Sequence, residues 1–230
     1  SAARLHFDSF TNNGNLNWTL VGPPGTLVNR RPLTNSDSFD FGAPVMTLGA
    51  GSYTLQVDAN GDATGSYSFR FLDVATAVAI TPGTPVNGAL SPATESDLYR
   101  FNGVAGELYY FNVTVGINNA TWRLVDPFNN VIFSTGFDND VGTLTLSVPG
   151  VYTLVIEGRR DAGTGTANYT FNVTKQGNQP PTPFTGTALT LGDLVTANIS
   201  VPSETDSYIF TLPAPARLHF DSQTNTGNIN

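Results

Sequence analysis

The sequence predicts an all-β chain: tandem antiparallel β-sandwiches, jelly-roll-like, of about eight strands each. Three observations carry this. Apolar and polar residues alternate with period two along short stretches, as in LYYFNVTV at 108–115, where Tyr109, Phe111, Val113 and Val115 share one face. Turn residues abound, with 23 Gly and 15 Pro, while helix formers are scarce, with one Met and a single lysine, Lys175. Finally, the chain repeats itself.

The heptapeptide ARLHFDS at 3–9 returns at 216–222, and the longer stretches 1–17 and 214–230 agree at 12 of 17 positions, 213 residues apart. A second period lies inside the first. Phe7, Trp18 and Pro23 match Phe111, Trp122 and Pro127 at offset 104, whereas Asp206, Tyr208 and Phe220 match Asp97, Tyr99 and Phe111 at offset 109. The two offsets together make 213. Gly51-Ser-Tyr53-Thr-Leu55 likewise matches Gly150-Val-Tyr152-Thr-Leu154, and Tyr67-Ser-Phe69 matches Tyr169-Thr-Phe171.

The chain therefore reads as a window on an array of units of about 105 residues. Residues 1–75 are the back part of one sandwich and 76–176 form a complete one. Residues 177–230 are a proline-rich linker (177–183) and the front part of the next. The complete unit is expected to hold strands near 86–90, 97–103, 107–115, 120–125, 130–135, 142–148, 151–158 and 166–174, with Trp122 and the repeated tyrosines in its core. A back part without its first two strands has open sheet edges, and three strands stand near the limit of independent stability. Residues 1–75 of one copy are thus expected to be completed by 177–230 of a neighbouring copy, or of the same polypeptide where it continues.

Charge narrows the partners. Charged residues are 12% of the chain and the net charge is −8, so Asn, Thr, Ser and Gly rather than ion pairs are expected to cover the surface. The nine arginines are scattered apart from Arg30–Arg31 and Arg159–Arg160, which argues against nucleic acid and against an anionic membrane surface. No apolar run approaches the ~18 residues of a membrane span. Low charge, scarce lysine and Asn/Thr-rich strands point to an extracellular or cell-surface protein.

The complete unit reads Gly88-Ala-Leu90, Asp97-Leu-Tyr99-Arg-Phe101, Trp122-Arg-Leu124, Pro149-Gly150-Val-Tyr152-Thr-Leu154-Val-Ile156 and Tyr169-Thr-Phe171-Asn-Val173. This pattern resembles the bacterial pre-peptidase C-terminal domain family. The resemblance implies a β-sandwich of a secreted protein, trailing a protease or set in tandem in a large surface protein. It also implies a calcium position in some members, between an acidic linker and the loop before Asp-x-Tyr. Glu95 and Asp97 occupy that loop here, as do Glu204 and Asp206 in the second copy, and carboxylates suit an ion that takes six to eight oxygens. The preceding segment 77–85 holds no acid, so no cofactor is expected, calcium being the one candidate, and Asp97 and Asp206 are expected to accept turn amides instead.

Other candidates are weaker. Asp58-Ala-Asn60-Gly-Asp62 opens like a calcium loop but lacks the distal Glu, and reads as a hairpin turn, as does Asp138-Asn-Asp140. His6 and His219 are one repeat position, Tyr110 in the complete unit; both fall on the outward side of a strand with no catalytic or zinc partner. Six Asn-x-Ser/Thr sites match what composition alone supplies, with outward Asn112 and Asn172 the glycosylation candidates. Lys175 reads as a linker residue. The function expected is structural: a tandem-repeat segment of an extracellular bacterial fibre, surface filament or adhesin stalk, not an enzyme, with end-to-end copies of itself as partners. The alternative is a module of a secreted enzyme that binds a glycan or fibrous protein through exposed aromatics, Tyr110, Phe128 or Phe137.

Overall fold

Alternation decides where the backbone extends. The computed structural model describes residues 2–179, 182–213 and 216–223. Two units form, Ser1–Pro181 and Thr182–Asn230. The first unit opens with β1 (Ala3–Ser9), β2 (Leu16–Gly22) and β3 (Gly25–Pro32). A single helical turn, α1 (Ser38–Phe41), follows, then β4 (Met46–Leu48), β5 (Thr54–Ala59) and β6 (Phe69–Asp73). It continues with β7 (Val78–Ala79), β8 (Val86–Leu90), β9 (Ser96–Gly103), β10 (Glu107–Val115), β11 (Ile117–Val125), β12 (Val131–Phe137), β13 (Val141–Thr145), β14 (Gly150–Gly158) and β15 (Ala167–Asn178).

These strands make two all-β layered bodies. In the first, the sheets are β4-β1-β6 and β3-β2-β5; in the second they are β13-β10-β15-β8 and β12-β11-β14-β9-β7. The repeat seen in the sequence recurs in the ladders. Phe7 stands opposite Phe71 as Phe111 stands opposite Val173, and Trp18 faces Val57 as Trp122 faces Ile156. Each core is built on a tryptophan. Trp18 stacks on Phe7 at 3.9 Å, and Trp122 packs edge-on against Phe111, Phe133 and Phe171. Tyr152, Leu154, Tyr169 and Phe171 fill out the second core.

The repeated Gly-x-Tyr has a physical cause. A Cβ on Gly150 would lie 2.7 Å from Pro127, and one on Gly51 would lie 2.4 Å from Pro23, both at positive φ. The tyrosine two residues on turns its hydroxyl back to a carbonyl: Tyr152 to Val148 at 2.8 Å, Tyr53 to Gly49 at 2.9 Å. Only glycine lets the chain pass the proline at that angle.

Several expectations need correction. The second sandwich has nine strands rather than eight, because β7 adds a two-residue parallel edge to β9. Asp58–Asp62 is not a hairpin turn: it joins β5 and β6, which lie in different sheets, and Asp138–Asp140 likewise joins β12 to β13 of the other sheet. Lys175 is not in a linker but in β15, opposite Tyr109, with its ammonium 2.5 Å from Glu107. Phe137 is not exposed; its strand position turns it inward between Trp122 and Tyr169.

The second unit is sparse. Its strands are β16 (Thr187–Ala188) and β17 (Tyr208–Ile209), paired in parallel. Leu194, Phe184 and Phe220 are exposed.

Candidate functional site

The first unit owes its continuity to a junction between its two sandwiches. Glu157, fully buried on β14, is the hub. It accepts the Ser38 amide at 2.7 Å and the Ser38 hydroxyl at 2.6 Å, both from the first sandwich, and Arg123 Nη1 from β11 at 2.5 Å. Burial works to raise the Glu157 pKa, but His6, Arg123 and the Ser38 donors prevail and hold it below the usual carboxylate range. His6 lies 4.0 Å from the same carboxylate, with Nδ1 on the Pro44 carbonyl and Nε2 on the Ser96 hydroxyl. A carbonyl can only accept, so Nδ1 carries a proton.

Two more contacts flank the hub. Asp8 accepts the Ser96 amide and hydroxyl and is paired with Arg70 at 2.7 Å. Burial nonetheless lifts its pKa against the pull of His6 and Arg70. Asp37 accepts the Arg160 amide at 3.0 Å beside Arg159, and its pKa is pushed up to about 7 by burial and by the nearby Glu157 charge. Around these polar groups lies an apolar seam, Val45 and Val74 against Leu98, Val125 and Val155. His6 was expected to face outward. It does leave its own core, but the second sandwich covers it, so it is buried. Ion pairs, expected not to cover the surface, are concentrated in this buried junction. Buried charge of this kind persists only when paired and hydrogen-bonded. The arrangement holds surfaces together; among the described residues there is no group of three or more His, Asp or Glu able to hold a metal ion.

A second feature is an unfilled lane. Among the described residues the first sandwich has counterparts of β10 to β15 but none of β8 or β9. In the second sandwich β14 lies between β11 and β9, whereas among the described residues β5 pairs with β2 alone. Every residue of β14 from Tyr152 to Gly158 is buried, while no residue of β5 is. Residues 167–170 are strand because β8 pairs with them; their counterparts 65–68 are not.

The second unit carries the repeat counterparts of β7 and β9 in their local conformation, whereas the counterpart of β8, residues 195–199, is not strand. Thr187 pairs with Tyr208 and Ala188 with Ile209, as Val78 pairs with Tyr99 and Ala79 with Arg100, each at offset 109. The turn bonds recur at the same offset. Glu204 accepts the Ser200 amide as Glu95 accepts the Ser91 amide, and Leu189 donates to Ile209 as Ile80 donates to Arg100.

The candidates from sequence fare unevenly. Glu95 and Glu204, not Asp97 and Asp206, accept the turn amides, since the longer side chain reaches back four residues. Asp97 instead accepts the Tyr169 hydroxyl at 2.5 Å, so Glu95 and Asp97 are committed to different partners. Tyr110 and Asn112 meet at Asp140, which accepts the Tyr110 hydroxyl at 2.8 Å and the Asn112 amide at 3.1 Å. These bonds and the Val113 amide hold the Asp140 pKa down. Asn172 stands opposite Asn112 in the ladder, with its carbonyl oxygen buried and unpartnered. Phe128 sits at the β11–β12 turn, 66% exposed. The structure does not bring Phe128 and Tyr110 together: Phe128 lies in the turn joining β11 and β12 of one sheet, and Tyr110 in β10 of the other. Sequence reasoning missed Glu157, Arg123 and Ser38.

No protein-family model matches the chain, and no curated protein does. Solved structures similar to it include Aeromonas hydrophila PliG, a periplasmic lysozyme inhibitor of g-type lysozyme. That chain is 18% identical and 96% covered, against 44% of this one, with TM-score 0.38. The Salmonella Typhimurium PliG is 19% identical, covering 43% of this chain and 97% of that one, with TM-score 0.35. The pre-peptidase C-terminal domain of collagenase from Bacillus anthracis is 21% identical, covering 43% and 94%, with TM-score 0.34. No helix among the described residues is long and apolar enough to cross a membrane.

Proposed function

We propose that the chain is a structural tandem-repeat segment of an extracellular bacterial fibre, surface filament or adhesin stalk, whose copies assemble end to end by completing a split sandwich. One observation carries this reading: the first sandwich has no counterpart of β9 among the described residues, and the second unit holds that counterpart, β17, in the register and with the turn bonds that β9 has with β7. An open edge and an uncovered core invite strand addition. The buried junction between the sandwiches supports the same reading, since a load-bearing segment needs its bodies joined by more than a linker. The reading is of a non-catalytic protein.

Negative-stain imaging of the purified chain at rising concentration tests it. Strings or rods that lengthen with concentration are expected; isolated single particles at every concentration would overturn it. The exposed Phe128 favours the second reading, a glycan- or fibrous-protein-binding module. A collagen or glycan pull-down that is lost in Phe128→Ala would support that instead.

A further inference from the structure

We propose that one trapped proton closes the junction between the two sandwiches: it sits on His6 Nε2, in a buried chain His6–Ser96–Asp8, and the junction loosens when that proton leaves as the pH rises past neutrality. The reason is a count of hydrogens. His6 Nδ1 lies 2.7 Å from the Pro44 carbonyl oxygen, which only accepts, so one ring hydrogen is spent there. His6 Nε2 lies 3.1 Å from Ser96 Oγ, and Ser96 Oγ lies 3.0 Å from Asp8 Oδ1. A neutral ring would offer Nε2 as an acceptor, and an ionised carboxylate also only accepts. The single hydroxyl hydrogen of Ser96 would then have to serve both sides, and one gap would be left with lone pairs facing each other. His6, Ser96 and Asp8 are each 3% exposed or less, so bulk water cannot supply the missing hydrogen. One more proton completes the chain. Nε2–H donates to Ser96 Oγ, and the Ser96 hydroxyl donates to Asp8 Oδ1.

The surrounding charges put the proton on the imidazole. Asp8 Oδ2 accepts Arg70 Nε at 2.7 Å and the Ser96 amide at 3.2 Å, donors that favour the ionised carboxylate. Arg70, on β6, also pairs with Glu95, in the loop before β9. From β14 comes Glu157, 4.0 Å from Nε2, and from β11 comes Arg123, paired with Glu157. Beyond Glu157, Asp37 and Asp40 are matched by Arg159 and Arg160. Arg4, on the same face of β1, is turned to the Asp126 carbonyl and Asn129, and Asp97 is turned to Tyr169. Three carboxylates, Asp8, Glu95 and Glu157, thus share two guanidinium groups, and an imidazolium makes up the balance. Burial raises the Asp8 pKa, and His6 pulls it back as a cation does. In the second sandwich the same two positions hold Tyr110 and Asn112, which bond the exposed Asp140 and need no such proton. A histidine in an unfolded chain releases its proton near about pH 6.5. Above that, the folded state holds a proton that the unfolded state lacks, so stability falls with rising pH until the folded chain releases it too.

Nitrogen NMR of the full chain reads the proton directly. The chain has two histidines, and His219→Gln leaves the His6 signals alone. An imidazolium gives its two ring nitrogens nearly equal shifts, whereas a neutral ring separates them widely. At about pH 7.5 His6 is expected to be the imidazolium; widely separated shifts there would overturn the proposal. Asp8→Asn tests the chain itself, because its carboxamide nitrogen can donate to Ser96 and so supply the hydrogen covalently. In that variant the His6 ring is expected to be neutral at the same pH. An imidazolium that persists would show that the proton does not depend on the His6–Ser96–Asp8 chain, and would overturn it. Hydrogen exchange reads the closing role. The Ser38 and Ser96 amides donate across the junction, to Glu157 and Asp8. From pH 7 to 9, after correction for the chemical rate, these two amides are expected to speed up at least tenfold relative to the core amides of Phe111 and Phe171 in the wild type, the scale of one hydrogen bond to a charged group, and to keep their ratio in Asp8→Asn. A wild-type ratio that does not change with pH would show that the proton does not hold the junction closed.

Discussion

Ser38 and Glu157 are 119 residues apart in sequence and share two hydrogen bonds, at 2.7 and 2.6 Å, in the buried junction between the sandwiches. The pair fixes one body against the other. Arg123 Nη1 donates to the same carboxylate, and its Nη2 is buried with no hydrogen-bond partner among the described residues. Removing the carboxylate would therefore strand a buried cation. Glu157→Ala is expected to destabilise the first unit by about 3–5 kcal/mol, the cost of breaking a buried pair. Urea unfolding followed by tryptophan fluorescence measures this, and a loss below about 1 kcal/mol would show that the junction contributes little.

The junction also makes stability depend on pH in two opposite ways. Asp37 is pushed up from 3.8 to about 7 in the folded chain, so between those values the folded state holds a proton that the unfolded state has released. Its contribution is present below about pH 4 and is lost as the pH rises through about 7. Glu157 is held below its ordinary value, so its contribution is present above the usual carboxylate range and is lost as the pH falls into acid. Asp37→Asn is expected to flatten the decline between pH 4 and 7 by more than a tenfold change in folding equilibrium, about 1.4 kcal/mol. Unfolding midpoints across pH 4–8 for wild type and Asp37→Asn read the difference; parallel curves would contradict it.

Backbone geometry gives a third expectation. Gly150→Ala must hold a positive φ of 135° and push a methyl group against Pro127. A loss of about 1–3 kcal/mol is expected. Gly142→Ala meets nothing within 4 Å and serves as the control, with an effect within about 0.5 kcal/mol. Differential scanning calorimetry of the two variants distinguishes them, and equal losses would contradict the role given to Pro127.

Much of the fold was legible because its signals are local. Tyr109 and Phe111 alternate, Trp122 and Tyr152 recur at fixed offsets, and each is buried where alternation places it. The strand β7 was not legible: two residues have no period, and it exists only because β9 offers an edge. The burial of His6 was not legible either. Alternation tells which residues leave one core, not whether another body covers them. A signal did exist. Arg123 falls at the repeat position held by Thr19, and in a chain with 12% charge such a copy-specific charge marks a surface that only one copy uses, whereas Glu157 falls where Asp58 is also acidic.

Hydrogen exchange of the full chain at low and high concentration tests strand completion most directly. Amides of β5 and of residues 65–71 face the unfilled lane, and those of 195–199 belong to the strand that would enter it. All three sets are expected to slow together by at least tenfold as concentration rises, while β10 and β14 stay unchanged. Exchange at these amides that is the same at every concentration would contradict completion by a second copy.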